Sequence, residues 1–261
     1  MEAYNDMSAL RGREGGLMRY LHVLRIGAFV LAVLCAGGAV AAGLGTRWGA
    51  WHFRTGFTIL TWASYGGLAA AVLGLVALII DRLSRRVVLL ALLTIVLGSL
   101  VSGLPWQIKQ RAQHVPPIHD ITTDTENPPA FVAILPLRRD APNPAQYGGP
   151  GVAAQQQKAY PDLRPLFLNV PPKEAFPQAL EAAREMWWQI VDSNQEQGRF
   201  EATDTTLWFG FKDDIVVRVT PSEQGSLIDV RSVSRVEKSD VGTNARRIQT
   251  YIRRIMQGST P

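Results

Sequence analysis

Three long stretches without a single charged side chain constrain this chain more than any other feature. They cover residues 26–46, 55–80 and 87–108, and a charged residue flanks each of them on both sides. A helix of about 20 apolar residues crosses the roughly 30 Å of hydrocarbon in a bilayer. An amphipathic helix of a soluble protein would instead carry polar side chains along one face. The stretches therefore predict a three-span transmembrane domain over residues 1–108.

The distribution of basic residues predicts the orientation of these spans. The N-terminal segment and the short second loop hold seven arginines, whereas the opposite side holds four basic residues. The seven are Arg11, Arg13, Arg19, Arg25, Arg82, Arg85 and Arg86, and the four are Arg47, Arg54, Lys109 and Arg111. Because positive residues stay on the cytoplasmic side, we expect a multi-pass membrane protein with a cytoplasmic N-terminus, which in a Gram-negative cell would lie in the inner membrane. The C-terminal domain would then be periplasmic. A signal peptide ending near residues 39–41 is an alternative for the first span and gives the same direction.

The net charge excludes one class of partner. Residues 1–105 hold nine arginines and four acids, so that they carry 9 − 4 = +5, and the remaining residues hold 18 basic and 18 acidic side chains. A nucleic-acid-binding domain needs clustered basic residues, and the C-terminal part is neutral. We therefore expect no nucleic-acid partner. Cys35 is the single cysteine, so no intrachain disulfide can form.

Beyond the spans, proline and glycine become frequent, and we predict an extended Pro-rich arm over residues 109–172 that packs on the following module. Within the arm, residues 131–137 form a short apolar run that predicts one strand. Residues 147–158 contain three successive glutamines and are interpreted as a flexible loop. The apolar residues at 166–168 are expected to be buried.

Residues 173–261 have the pattern of a compact α+β module. Apolar residues recur at helical spacing over residues 173–186 and again over 241–256. Four segments between them predict strands, at residues 188–192, 199–206, 215–220 and 226–233, with turns between them, one at residues 212–214. The predicted fold is therefore a membrane all-α part followed by a soluble α+β domain, with an antiparallel sheet and flanking helices.

Three separated motifs carry a resemblance to a known family. They are Ile-His-Asp-Ile-Thr-Thr-Asp-Thr-Glu-Asn-Pro-Pro at residues 118–129, Trp-Phe-Gly-Phe-Lys-Asp-Asp at 208–214, and Asp-Val-Arg-Ser-Val-Ser-Arg at 229–235, which continues to Ser-Asp-Val-Gly-Thr-Asn at 239–244. From residue 118 to 252 the chain resembles the bacterial family called domain of unknown function 1499. Glu237 stands where members of that family often have glycine. The resemblance implies a membrane-tied or exported domain and no known activity.

The candidate binding residues follow from alternation along the last predicted strand. Asp229, Arg231, Val233 and Arg235 share one face, so that the two arginines are expected to reach one small anion together. Residues of the arm and of the last helix's N-terminus complete the candidate set. The set comprises Asp120, Asp124, Asn127, Asp229, Arg231, Ser234, Arg235, Ser239, Asp240 and Asn244. In the alternative interpretation, Asp229 pairs with a neighbouring arginine and the Ser, Asp and Asn side chains cap turns, with Ser239 or Asp240 as the helix N-cap.

A second candidate surface is apolar. Residues 207–211 form a nearly continuous apolar run, and its large members, Leu207, Trp208, Phe209 and Phe211, are expected to contact a partner or the membrane surface, or to lie in the core. His114 and His119 lack any standard ligand spacing, and no nucleotide-binding or hydrolase motif occurs. We therefore predict neither a metal nor a cofactor.

Three hypotheses about function remain open. The first is a non-catalytic, membrane-anchored accessory or scaffold protein whose partners are membrane lipid, a small anion, or another membrane or periplasmic protein. The alternative is an envelope hydrolase that uses Asp120 or Asp124 with Arg231 and Arg235. The third is a purely structural subunit of a larger membrane complex, in which the glycine and alanine faces of the first two spans contact other chains.

Overall fold

The computed structural model describes residues 2–80 and 84–258, with side chains described from Tyr20 onward. The chain divides into two compact units, Met1–Lys109 and Gln110–Pro261. Arg82, which takes part in the count of basic residues, lies outside the described residues, as do the side chains of Arg11, Arg13 and Arg19.

The first unit consists of three long helices, the last of which continues for five residues into the second unit. They are α1 (Glu2–Arg47), α2 (Phe53–Ile80) and α3 (Arg85–His114). By length and composition, the segments Tyr20–Arg47, Phe53–Ile80 and Arg85–His114 are apolar enough to cross a membrane. The prediction of three long apolar helices is therefore confirmed.

Small residues bring α2 and α3 into backbone contact. A Cβ on Gly67 would lie 3.0 Å from the carbonyl oxygen of Gly98, and a Cβ on Gly98 would overlap the carbonyl oxygen of Gly67. In the loop between α1 and α2, the indole N–H of Trp51 donates to the carbonyl oxygen of Ala42 in α1 over 3.2 Å. These glycines therefore serve close helix packing inside the unit, where a larger side chain would force α2 and α3 apart.

The second unit is an antiparallel sheet flanked by helices. Its helices are α4 (Pro150–Ala159), α5 (Pro172–Glu185) and α6 (Thr243–Gly258). Its strands are β1 (Asp120–Thr122), β2 (Leu166–Leu168), β3 (Gln189–Asn194), β4 (Arg199–Thr205), β5 (Lys212–Ser222) and β6 (Gly225–Ser234). The strand order is β1-β6-β5-β4-β3. Strand β2 pairs with the same side of β6 as β1 does, nearer to the start of β6. The α+β class and the antiparallel sheet are confirmed.

Helices α5 and α6 cover one face of the sheet. Alternate residues of the strands, among them Phe200, Val217 and Ile228, are fully buried against these helices. Tyr251 of α6 is also fully buried, and its hydroxyl donates to the carbonyl oxygen of Ala179 over 2.7 Å. Burial of the apolar stripes of both helices against this face provides the main driving force for folding of the unit.

Four local predictions are wrong. Residues 131–137 form no strand, because Pro136 has no N–H for a ladder and the segment instead ends in a 3-10 helix, Leu135–Arg138. Residues 147–158 are no flexible loop, since α4 begins at Pro150, where proline suits the first helical turn.

The other two wrong predictions concern the strands. Residues 212–214 belong to β5, and the turn lies earlier, where Gly210 adopts a φ of +71°. Phe167 remains 47% exposed, because it lies on an outermost strand of the sheet.

Candidate functional site

The sheet face opposite α5 and α6 carries most of the charged candidates. As predicted, Asp229, Arg231 and Val233 share this face, whereas Val230 and Ser232 point toward the helices. The arm segment at residues 124–147 covers the polar face, and its side chains Phe131 and Ile134 pack with Val216 and Val233 in a small second core. The charged side chains of this face therefore lie under protein, between the sheet and the arm.

Arg231 is locked in place by Asp120. Its Nε and Nη2 atoms donate to the two carboxylate oxygens of Asp120 over 2.9 and 2.8 Å, and the two side chains are only 3% and 6% exposed. The guanidinium also donates to two carbonyl oxygens of the arm and lies 5.2 and 5.4 Å from the ring centres of Phe131 and Tyr147. Burial, together with the charge of Asp120, raises the pKa of Tyr147 to about 12. The charge of Arg231 is therefore neutralised by a bidentate partner of the same domain.

Arg235 binds a different carboxylate. Its Nε and Nη2 atoms donate to the oxygens of Asp214 over 2.8 and 2.7 Å. Asp214 is fully buried and accepts two further hydrogen bonds, from Arg138 over 2.6 Å and from the Thr203 hydroxyl over 2.7 Å. Arg231 and Arg235 share a face but do not converge on one vacant position, because each has its own buried acid.

A third network joins the arm to the edge of this face. Arg218 pairs with Asp229 over 2.9 Å and with Asp124 over 3.0 Å, and it also donates to the carbonyl oxygen of Asn127. Asp124 in turn accepts the backbone N–H groups of Glu126 and Asn127. Burial raises the pKa of Asp229 above its usual value, and the hydrogen bond from Arg218 opposes that rise. Pairing of Asp229 with an arginine is the arrangement that the alternative interpretation describes.

Glu201 is a buried acid of this face that sequence reasoning missed. Its fully buried carboxylate accepts the backbone N–H groups of Val132, Ala133 and Ile134 at 2.8, 3.2 and 2.8 Å and also pairs with Arg199. One side chain of β4 thereby satisfies the donors of a turn in the arm. The sequence could have indicated this role, because an acid between two apolar residues is unusual in a buried strand.

Polar candidates on the helix face gather around the start of α6. The carboxylate of Asp240 accepts the N–H groups of Gly242 and Asn244 over 2.8 and 2.7 Å. Asp240 thus caps the turn that leads into α6, although it lies two residues before the N-cap position, because the helix begins at Thr243. The amide of Asn244 accepts from Ser232 and donates to the hydroxyl of Ser234. The Ser239 hydroxyl oxygen is buried and has no hydrogen-bond partner among the described residues.

Arg247 and Glu237 complete this polar cluster. Arg247 pairs with Asp213 over 2.5 Å and with Asp204 over 2.8 Å, and its side chain is 4% exposed. Burial, reinforced by the charge of Asp213 and Asp240, raises the pKa of Glu237 to about 8. One oxygen of Glu237 is buried without a partner among the described residues. At neutral pH this carboxyl group therefore holds a proton.

The four side chains proposed for a hydrolase are split among separate ion pairs. Asp120 binds Arg231, Asp124 binds Arg218, and Arg235 binds Asp214. Asp124 lines a cavity of about 390 Å³ to which none of the other three contributes. Among the described residues, no group of three His, Cys, Asp or Glu side chains is arranged to hold a metal ion.

The apolar candidates occupy the turn between β4 and β5. Phe209 is buried and stacks on Phe211 with ring centres 5.6 Å apart, Trp208 is half-buried, and Leu207 is 87% exposed. Trp187 precedes β3, next to the end of β4, and is 92% exposed with a φ of +60°. Two large apolar side chains therefore project into solvent at the same end of neighbouring strands.

The sheet and α6 together correspond to a known family. The model of the family described as "Protein of unknown function (DUF1499)" matches residues 120–255, which is more than half of the chain. The matched interval begins with β1 and includes every ion pair of the polar face described above. No curated protein matches the chain. The chain belongs to the domain of unknown function 1499 family.

Proposed function

We propose that the protein is a membrane-anchored accessory protein whose C-terminal domain binds a partner and catalyses no reaction. The observation that supports this proposal best is the internal pairing of the charged candidates, above all Asp120 with Arg231 and Asp214 with Arg235. A catalytic acid or base must reach the substrate within hydrogen-bond distance. These carboxylates are instead buried and fully engaged by guanidinium groups of the same domain.

Such pairs hold the arm on the sheet. A buried ion pair gains little net stability over apolar packing, but breaking it leaves a buried charge and is strongly unfavourable. Because Asp120, Asp124 and Arg138 lie in the arm and their partners lie in the strands, the pairs fix one position of the arm. The domain is thus built as a rigid support, which suits recognition by contact.

The proposed place of action rests on the three apolar helices and the basic residues beside them. The excess of arginine at the N-terminal side supports an inner-membrane protein with the C-terminal domain in the periplasm. Within that domain, exposed Trp187 and Leu207 provide an apolar surface suited to a membrane or periplasmic protein.

Three measurements test this proposal. A photo-crosslinking residue placed at Trp187 or Leu207 in cells is expected to give discrete protein adducts, whereas the same residue at Glu223, exposed in the β5–β6 turn, is expected to give none. A cysteine at position 223 is expected to react with a membrane-impermeant reagent added to the outside of spheroplasts. Cytosolic protection of that cysteine would refute the orientation. Turnover of a generic ester, phosphoester or glycan by the purified chain, lost in Asp124→Asn, would refute the non-catalytic role.

A further inference from the structure

A groove beside the start of α6 is lined by basic side chains from two segments of the second unit. It has a volume of about 340 Å³. Arg111 and His114 come from the last turn of α3, and Arg246 comes from the first turn of α6. Tyr160 and Gly242 also line the groove, and a Cβ on Gly242 would come within 3.2 Å of the Tyr160 hydroxyl.

Within the part of the chain that the structure describes, the charges of this groove are not compensated by acidic side chains. Arg111 and Arg246 are exposed, and neither has an ion-pair partner among the residues that the structure describes. Arg246 reaches only the hydroxyl of Thr243, over 3.4 Å. Asp240, which precedes α6, is buried and directs its oxygens to the N–H groups of Gly242 and Asn244. The groove contrasts with the polar sheet face, where each of Arg231, Arg235 and Arg218 has a carboxylate.

The position of Arg246 on its helix makes the uncompensated charge more costly. Cations are unfavourable in the first turn of a helix, where the macrodipole is positive. No acid occupies that turn of α6, although Arg246 and Arg247 both follow its first residues. Arg247 is neutralised by Asp213 and Asp204, whereas Arg246 faces the groove. An anion from outside the protein would supply the missing partner.

The source of that anion follows from the position of Arg111 in the chain. Arg111 comes three residues after Ile108, where the charge-free stretch ends, and lies on the same continuous helix. At about 1.5 Å per residue, it stands about 4.5 Å beyond the apolar span along the helix axis. The headgroup layer on each side of the hydrocarbon is about 5–7 Å thick. With the charge-free stretch placed in the hydrocarbon, this distance puts Arg111 at the depth of lipid phosphates.

We propose that the groove formed by Arg111, His114, Arg246 and Tyr160 binds the phosphate group of an anionic membrane phospholipid. Two guanidinium groups match the geometry of phosphate oxygens, to which arginine donates paired hydrogen bonds. The phenol of Tyr160 adds a neutral donor, because burial raises its pKa above the usual value. This ligand is independent of the protein partner proposed above, so either proposal stands if the other fails.

The test uses the full chain in a mild neutral detergent and short-chain lipids as probes. Binding of dioctanoyl phosphatidylglycerol is measured by native mass spectrometry, beside zwitterionic dioctanoyl phosphatidylcholine and inorganic phosphate. We expect the double variant Arg111→Gln/Arg246→Gln to bind phosphatidylglycerol at least tenfold more weakly, since two charge-assisted contacts are lost. Arg253→Gln is the matched control, because Arg253 is also exposed on α6 and also contacts a threonine three residues earlier. Its affinity is expected to be unchanged.

Each other outcome overturns the proposal. Equal affinity for phosphatidylcholine would remove the requirement for a net negative headgroup. Inorganic phosphate that binds as tightly as the lipid would assign the groove to a soluble phosphate instead. An unchanged affinity in the double variant would show that the groove is not the binding site. Because Arg111 and Arg246 are exposed, the variant is expected to keep the thermal unfolding temperature of the parent chain, which excludes misfolding as the cause of weaker binding.

Discussion

Glu237, in the loop between β6 and α6, makes the stability of the C-terminal domain depend on pH. Burial is the main cause that raises its pKa to about 8 from an ordinary value of 4.5, and the charges of Asp213 and Asp240 add to the effect. The informative change is Glu237→Gln, because glutamine keeps the shape of the protonated acid and does not titrate. Glu223→Gln removes an exposed acid in the β5–β6 turn and serves as the control.

The sign and size of the effect follow from proton linkage. Between pH 4.5 and about 8 the folded domain keeps a proton on Glu237 that the unfolded chain releases. The contribution of Glu237 is therefore fully present below pH 4.5 and is lost as the pH rises through about 8. A difference of about 3.5 pKa units at 1.36 kcal/mol each corresponds to about 5 kcal/mol as an upper limit. At about 2–4 °C per kcal/mol for a domain of this size, the midpoint shifts by about 10–20 °C at most.

Thermal unfolding of the full chain in detergent, followed by tryptophan fluorescence at pH 5 and pH 8.5, measures this effect. The unfolding temperature of the parent chain is expected to fall on raising the pH, and that of Glu237→Gln is expected to fall about 10 °C less. Glu223→Gln is expected to follow the parent chain. Equal falls in the parent and in Glu237→Gln would refute the reasoning, because Glu237 would then be ionised in the folded domain at neutral pH.

Three further changes test other features of the domain. Arg231→Met leaves Asp120 charged and buried, so it is expected to lower the free energy of unfolding by about 3–5 kcal/mol, and addition of Asp120→Asn is expected to restore much of it. A double variant no more stable than Arg231→Met in thermal melts would contradict this. Val241→Gly removes a β-branched side chain at a φ of +53° and is expected to stabilise the domain by about 1 kcal/mol, seen as a higher unfolding temperature. Gln156→Leu removes the side-chain hydrogen bonds to the backbone N–H and C=O of Thr122, so amide hydrogen exchange at β1 is expected to accelerate, with a loss of about 2 kcal/mol.

The elements that sequence predicted correctly are those with regular apolar periodicity or an unbroken apolar run. Such a period is present in α5, α6 and β6, whereas the three spans were predicted from unbroken apolar runs, which need no period. The arm has no such period, since its conformation depends on contacts with distant strands. Residues 131–134 turn sharply because Glu201, far along the chain, accepts three of their N–H groups.

The candidate site divides in the same way. Alternation along β6 placed Asp229, Arg231 and Val233 on one face, which the structure confirms. The partners of these side chains were not predicted, because pairing of Arg235 with Asp214, or of Arg218 with Asp124, joins segments whose proximity no local spacing encodes. Sequence identified the charged face, and only the three-dimensional arrangement shows that its charges neutralise one another.

The two edges of the sheet restrict how other molecules can pair with this domain. One edge consists of the three-residue strands β1 and β2, set end to end along β6, and the other is β3, whose ladder with β4 shifts register between Ile190 and Asp192. Short or irregular outer strands give an incoming chain no long row of aligned amide and carbonyl groups. Such edges disfavour the pairing of neighbouring copies into one continuous sheet. We therefore expect the proposed partner to contact side chains of this domain rather than an open strand edge.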